Sequence, residues 1–355
     1  MKTWIAVVLS LLFLHVSTLA VPNDGRSLTA YVGATLIDGT GRAPRPDTVV
    51  LVAGERIAAV GSRNEVTIPK EARAVDATGK WIMPGLIDAH VHFFQSGGLY
   101  TRSDVIDLRR IRPYTKEIAW IKQRLPKTFA RYTASGVTSV VDLGGPLWNF
   151  ELRALAERTL VAPRVAVASP LLSTYVPSEL RTDDPANIKV TSPQQARRVV
   201  RWELAYRPDL IKIWFIPVPG ERLAEQTAWV QAAIAESHAA GVRVAVHATQ
   251  LEVARAAVSA GADILAHSVD DRPVNDAFIK LSRECKVVYV TTLIVHEGYQ
   301  GVLGQTVKLT DIEQRMGDPQ TIATWSDLAR LPVWKRPFGS FRSSGGPVAS
   351  SSSTT

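Results

Sequence analysis

Residues 86–92 read Leu-Ile-Asp-Ala-His-Val-His, an apolar run that ends on two histidines one residue apart. Side chains on a strand alternate between its faces, so His90 and His92 point the same way, with Asp88 behind them on that face. Two imidazoles projecting together can chelate one divalent ion, and neutral imidazole suits zinc and its borderline first-row neighbours. Asp88 could then orient a ligand from behind. The competing reading is a pair of buried, hydrogen-bonded histidines. Further along, His247 and His267 each close an apolar run of their own. If these runs are parallel strands of a barrel, their C-terminal ends share one rim, where such folds place their chemistry. Four of the seven histidines then converge there, and metal binding becomes the better reading. His15 lies in an apolar N-terminal stretch, and His238 lies in a helical stretch before a glycine. His296 follows the last apolar run, either as a substrate contact or as an ordinary loop residue.

Lys212 belongs with this set. It sits inside the apolar run Leu210-Ile211-Lys212-Ile213-Trp214-Phe215, where burial of an ammonium is costly unless it is paired or its chemistry is changed. On the same rim it could be carboxylated and bridge two ions. Alternatively its stem is buried and its ammonium reaches solvent.

The elements that must position these residues change character along the chain. From Leu28 to Lys80 the pattern is short strands and tight turns, with runs at Leu28 to Ile37, Thr48 to Ala53 and Arg56 to Val60 punctuated by Asp38-Gly39-Thr40-Gly41 and Gly54-Glu55. From Trp81 onward, helical stretches such as Leu223 to His238 and Leu251 to Val258 alternate with apolar runs. Gly136, Gly241 and Gly261 sit where a helix ends on a left-handed residue. Runs that are apolar throughout are expected when helices cover both faces of a parallel sheet. Seven candidate strands follow: 86–92, 137–143, 164–168, 210–215, 242–247, 264–267 and 287–292. No eighth apolar run is visible after them. The expected segments are 1–20, 27–80, 81–295 and a tail, 296–355, expected to be irregular with a disordered Ser-rich end.

The chain has 355 residues, 46% hydrophobic and 21% charged, enough to bury a large core. Lys2, the apolar run Trp4 to Val16 and Ser17-Thr18-Leu19-Ala20 read as an export signal cleaved after Ala20. The run falls short of the ~20 residues that span a bilayer, so no stable membrane anchor is expected, and a periplasmic or secreted location is. Cys285 is the single cysteine, which excludes an intramolecular disulfide. The formal charge is +8, without a basic cluster interleaved with aromatics, so no nucleic-acid partner is expected.

The segment Trp81-Ile-Met-Pro-Gly-Leu-Ile-Asp-Ala-His-Val-His-Phe93, with the β unit before it (Gly33 to Gly41, Glu55 to Gly61), resembles the amidohydrolase superfamily, in particular its imidazolonepropionase-like and secreted dipeptidase-like branch. The likeness runs from about Ala34 to about Thr292. It implies a (β/α)8 TIM-barrel type with a small N-terminal β-sandwich segment, and metal-dependent hydrolysis of carbon–nitrogen bonds in amides, cyclic amides or dipeptides. By this resemblance His90 and His92 hold one ion, His247 and His267 a second, and a carboxylated Lys212 bridges them, the ions being zinc or similar. A small molecule or short peptide is the expected partner, and a homo-oligomer is compatible with the pattern. In the family an Asp at the end of the eighth strand is the general base. Here Asp311, Asp318 and Asp327 lie beyond the seventh run, yet none ends an apolar strand. The barrel is therefore expected to be incomplete at strand eight, no general base is assigned, and an inactive, truncated metal-binding remnant is the alternative to an active hydrolase. In the long segments 93–115 and 169–191, Tyr100, Arg102, Tyr175 and Arg181 are candidate substrate contacts.

Overall fold

The computed structural model describes residues 27–218 and 220–331. The expected export signal and the Ser-rich end lie outside them. The chain divides into two units, Met1–Pro84 and Gly85–Thr355.

In the first unit β1 (Leu28–Leu36), β2 (Arg45–Ala53) and β3 (Arg56–Ser62) form an antiparallel meander. Gly54, at φ 59°, lets the chain turn between the last two. β4 (Arg73–Asp76) and β5 (Trp81–Ile82) join β1 in parallel at its two ends. Ala30, Val49, Leu51 and Val66 form the core. Among the described residues the unit holds one five-stranded sheet, and the second layer that a sandwich requires is not among them.

In the second unit all seven expected runs are strands: β6 (Leu86–Val91), β7 (Val137–Asp142), β8 (Arg164–Val167), β11 (Ile211–Trp214), β12 (Val244–His247), β13 (Ile264–Ala266) and β14 (Val288–Val290). Two short strands within 169–191, β9 (Leu171–Ser173) and β10 (Asn187–Lys189), were not legible in the sequence. Every pairing is parallel, in the orders β6-β7-β8 and β10-β9-β11-β12-β13-β14, and a bridge from Ala168 to Leu210 joins the two sheets. This is an α/β fold with its strand ends in common register: Trp214 pairs His247, and His247 pairs Ala266.

The helices are α1 (Tyr114–Ala134), α2 (Glu151–Glu157), α3 (Pro193–Leu204), α4 (Leu223–Ala239), α5 (Leu251–Ser259) and α6 (Asp276–Glu284). Gly136, Gly241 and Gly261 follow α1, α4 and α5 at φ 80°, 73° and 101°, the left-handed stop the sequence pattern requires. Strand alternation sorts the core into layers. Ile211, Ile213, Val244, Val246 and Leu265 pack on the helices, as do Val91, Phe93 and Val140. Leu143, Ala168, Leu210, Ala245 and Ala266 form a separate inner cluster.

Where the sequence predicts an irregular stretch from 296, the structure instead forms α7 (Leu293–Leu303), α8 (Asp311–Met316), α9 (Pro319–Trp325) and a 3-10 turn at Ser326–Arg330. A capping box at Thr310/Glu313 starts α8, and the Asp318 carboxylate caps α9, so local caps rather than an apolar stripe define them. Among the described residues β6 and β14 each have one partner strand, and Leu86, Ile87, Val288 and Tyr289 on them are exposed.

Candidate metal centre

Four of the expected ligands meet at the C-terminal ends of the strands. His90 Nε2 lies 3.2 Å from His92 Nε2. The ring of His90 is 5.0 Å from that of His92 and 4.6 Å from that of His267, and His247 is 4.6 Å from His267. The four imidazoles thus form a contiguous chain, His92–His90–His267–His247, with Trp214 edge-on to the last at 5.9 Å. Val91 and Phe93 face the helix layer, so strand alternation turns His90 and His92 to the opposite side, as the spacing predicts. Lys212 completes the set: it is 1% exposed, and its Nζ has no hydrogen-bond partner.

The four imidazoles are held in their neutral form, and Lys212 is brought to where its neutral amine is readily available. Burial, then the positive field of Lys212, lowers the basicity of His90 well below the ordinary imidazole value and that of His92 to about 3. Burial and neighbouring cationic groups do the same for His247, and for His267 to about 2. Burial alone brings Lys212 down to about 7. Neutral imidazoles and a neutral amine are the protonation states a metal requires of its ligands.

Two of the rings have a partner at Nδ1, and one of those partners fixes the tautomer. His92 Nδ1 is 2.8 Å from the Gly144 carbonyl oxygen, and His267 Nδ1 is 2.8 Å from Thr292 Oγ1. A ring nitrogen facing a carbonyl must donate, which leaves the His92 Nε2 lone pair free toward His90. The Asp88 Oδ1 accepts from the His90 backbone N–H at 3.1 Å.

Among the described residues no group of three His, Cys, Asp or Glu side chains is arranged to hold an ion as it stands. The pairwise geometry nevertheless fits one. Two nitrogens about 2.0–2.1 Å from a shared tetrahedral zinc lie roughly 3.3 Å apart, close to the His90–His92 separation. The unpartnered Lys212 Nζ and the buried, unpartnered His90 Nδ1 are polar atoms left without protein partners, an arrangement that buried groups adopt when something else completes them.

A pocket of about 670 Å³ lies next to the segment that follows His92 and to α7. Gln95, whose backbone N–H donates to the His92 carbonyl, lines it, as do Arg102, Tyr299 and Trp325. Arg102 is clamped by both Asp104 oxygens and by the Tyr299 hydroxyl, each at 2.7 Å. Of the four candidate substrate contacts, Arg102 alone lines this pocket; the Tyr100 hydroxyl donates to Asp327 instead. Asp318 is tied to Arg124 and Arg131, and Asp311 begins α8, so none of the three downstream aspartates ends a strand. Sequence reasoning passed over Asp142, Gly144, Thr292 and the half-buried Asp270. Of these only Gly144, in a Gly-Gly pair at the end of an apolar run, carried a signal of its own.

Residues 81–296 match the sequence profile of the amidohydrolase family. A dihydroorotase of Anaeromyxobacter sp. (strain K) is 30% identical over 122 residues, which span 32% of this chain and 28% of that enzyme. Among solved structures, a prolidase complexed with N-methylphosphonate-L-proline is 24% identical at a TM-score of 0.62, covering 85% of this chain and 72% of that one. A putative prolidase from Bifidobacterium longum is 23% identical at a TM-score of 0.58, covering 84% and 67%. These structural likenesses establish the α/β fold.

Proposed function

We propose that this chain, which belongs to the amidohydrolase family, is a metal-dependent hydrolase of carbon–nitrogen bonds in small amides, cyclic amides or dipeptides. The observation that carries the reading is the contiguous set His92–His90–His267–His247 with the buried, unpartnered Lys212. His90 and His92 would hold one divalent ion, zinc by the chemistry of the donors, and His247 and His267 a second. An ion bound there supplies an acidified water, with a pKa near 7, and polarises a scissile carbonyl. The buried amine of Lys212, lowered to about 7, is available unprotonated near neutral pH, so its lone pair can add to carbon dioxide with loss of one proton. The resulting carbamate, with one negative charge shared over two oxygens, would be available as a further ligand to the ions that the histidines hold.

The names of the relatives support the substrate class. One is a dihydroorotase and one a prolidase complexed with a proline phosphonate, and a pocket of about 670 Å³ lined by Gln95 and Arg102 is of a size for a small molecule or short peptide. Export to the periplasm or beyond the cell, through the N-terminal segment, belongs to this proposal, as does association of copies; a nucleic-acid partner and a stable membrane anchor do not. No described helix is long and apolar enough to cross a membrane.

Among the described residues β6 and β14 each pair with one strand, and Leu86, Ile87, Val288 and Tyr289 on them are exposed; these open edges favour a second reading, a metal-binding remnant without turnover. Turnover separates the two. The zinc-loaded chain is assayed against Xaa-Pro and Xaa-Arg dipeptides, dihydroorotate and simple lactams, with the His90→Ala/His92→Ala double variant as blank. Hydrolysis above that blank supports the hydrolase; zinc bound without any turnover supports the remnant.

A further inference from the structure

The carboxylate of Asp142, buried completely at the end of β7, accepts three hydrogen bonds that tie one corner of the fold together. Its Oδ2 takes the backbone N–H of Phe93 at 2.9 Å and the Asn149 amide at 3.1 Å. Its Oδ1 takes the backbone N–H of Gly144 at 3.1 Å. These donors are not scattered. Phe93 is the residue after His92, and Gly144 is the residue whose carbonyl receives His92 Nδ1 at 2.8 Å. One carboxylate therefore fixes both ends of the contact that selects the tautomer of His92.

Backbone constraints sharpen the point. Gly144 is at φ 99°, and a Cβ there would stand 2.5 Å from the Ser169 carbonyl oxygen and 2.9 Å from Leu171 Cδ1, so only glycine presents its carbonyl in this way. Asp142 itself is held in the sheet between Val91 and Val167. Val140 belongs to the helix-facing cluster and Val141 packs on the inner one, so alternation puts the Asp142 side chain on the helix side, away from the histidines. It cannot reach a substrate or an ion there and can act only through the corner it holds.

We infer that Asp142 is a positioning residue: through Phe93 and Gly144 it locks His92 as the Nδ1–H tautomer and so keeps the Nε2 lone pair directed at His90. Groups beyond the first ring of ligands typically change metal affinity 10–100-fold. The inference rests on the reading of His92 as a metal ligand, but its primary readout does not need a metal.

The test is nitrogen-15 NMR of the His92 ring in the metal-free full chain, for wild type and Asp142→Asn, followed by zinc titration of both. Asparagine keeps the shape but turns one acceptor into a donor that faces an N–H. Wild type is expected to show a single Nδ1–H tautomer. Asp142→Asn is expected to show a mixture and to bind zinc about 10–100-fold more weakly, with cooperative unfolding retained. If wild type shows the Nε2–H tautomer, or if the variant keeps both the wild-type tautomer and the wild-type affinity, the inference is overturned. If the tautomer shifts while neither chain binds zinc, the positioning role stands and the metal reading falls. Should Asp142→Asn not fold, Asn149→Ala decides: it removes one of the three donors and is expected to give a smaller tautomer shift, and an unchanged ring would overturn the inference.

Discussion

His267 and Thr292 face each other across the rim, Nδ1 to Oγ1 at 2.8 Å, and both carry positive φ, 73° and 48°. A left-handed backbone is uncommon for any side chain and an outlier for a β-branched one. Strain of this kind persists only where surrounding structure over-determines it, and it clusters at functional sites. Here the loop from β13 holds it through the His267 N–H to the Val290 carbonyl and the Ser268 N–H to the Thr291 carbonyl.

Thr292→Gly separates strain from function. Glycine relieves a conformation that costs about 1–3 kcal/mol and forfeits a hydrogen bond worth about 1 kcal/mol. Metal-free stability by urea titration is therefore expected to hold or rise, while zinc affinity falls by about 10-fold or more. A variant that loses stability and keeps its affinity contradicts this account of the contact.

Gly144→Ala is expected to destabilise the chain by several kcal/mol, as overpacking against rigid backbone combined with a positive φ does. The added Cβ meets the Ser169 carbonyl at 2.5 Å, and that oxygen belongs to the backbone at the β8–β11 seam. Gly136→Ala is the control: it shares a positive φ of 80° but meets nothing within 4 Å, so its loss should be limited to about 1 kcal/mol. Equal losses would show that space at Gly144 is not the issue.

In the metal-free site the four histidines and Lys212 act in one direction. The four histidines protonate less readily when folded, so as pH falls below about 6.5 the unfolded chain takes up protons first and stability declines. Lys212, at about 7 when folded, releases its proton before the unfolded chain does, so stability rises with pH from about 7 to about 10.4. Asp142, raised to about 7 by burial, opposes the acid limb between about 4 and 7, as do the buried Glu203 and the half-buried Asp270, which burial also raises; the four histidines outnumber these three carboxyls. Urea midpoints measured with a chelator should rise from pH 5 to pH 10. Lys212→Met should flatten the alkaline limb and His247→Gln should weaken the acid one; limbs unchanged in those variants would refute the assignment.

The parts that the sequence made legible are those governed by a short period. Alternation alone places His90 and His92 on one face, and a helix stop at Gly241 or Gly261 followed by an apolar run announces a strand that leads to His247 or His267 at the rim. Thr292 and Asp142 were not legible for a physical reason. A threonine in left-handed backbone and an aspartate that ends an apolar run look like any loop residue and any strand end, because their meaning lies in partners 25 and 49 residues away. The strands β9 and β10, three residues each, are too short for a period to appear. Helices α8 and α9 are defined by their caps, which a search for apolar stripes passes over.

The most direct test of the central claim is bound metal per chain, by elemental analysis, in the purified wild type and in His90→Ala/His92→Ala. Zinc or a similar divalent metal is expected with the wild type, and at least one equivalent fewer with the double variant while its fold is retained. Wild type without metal after zinc loading, or a variant that holds as much as the wild type, would contradict the assignment of these histidines as ligands.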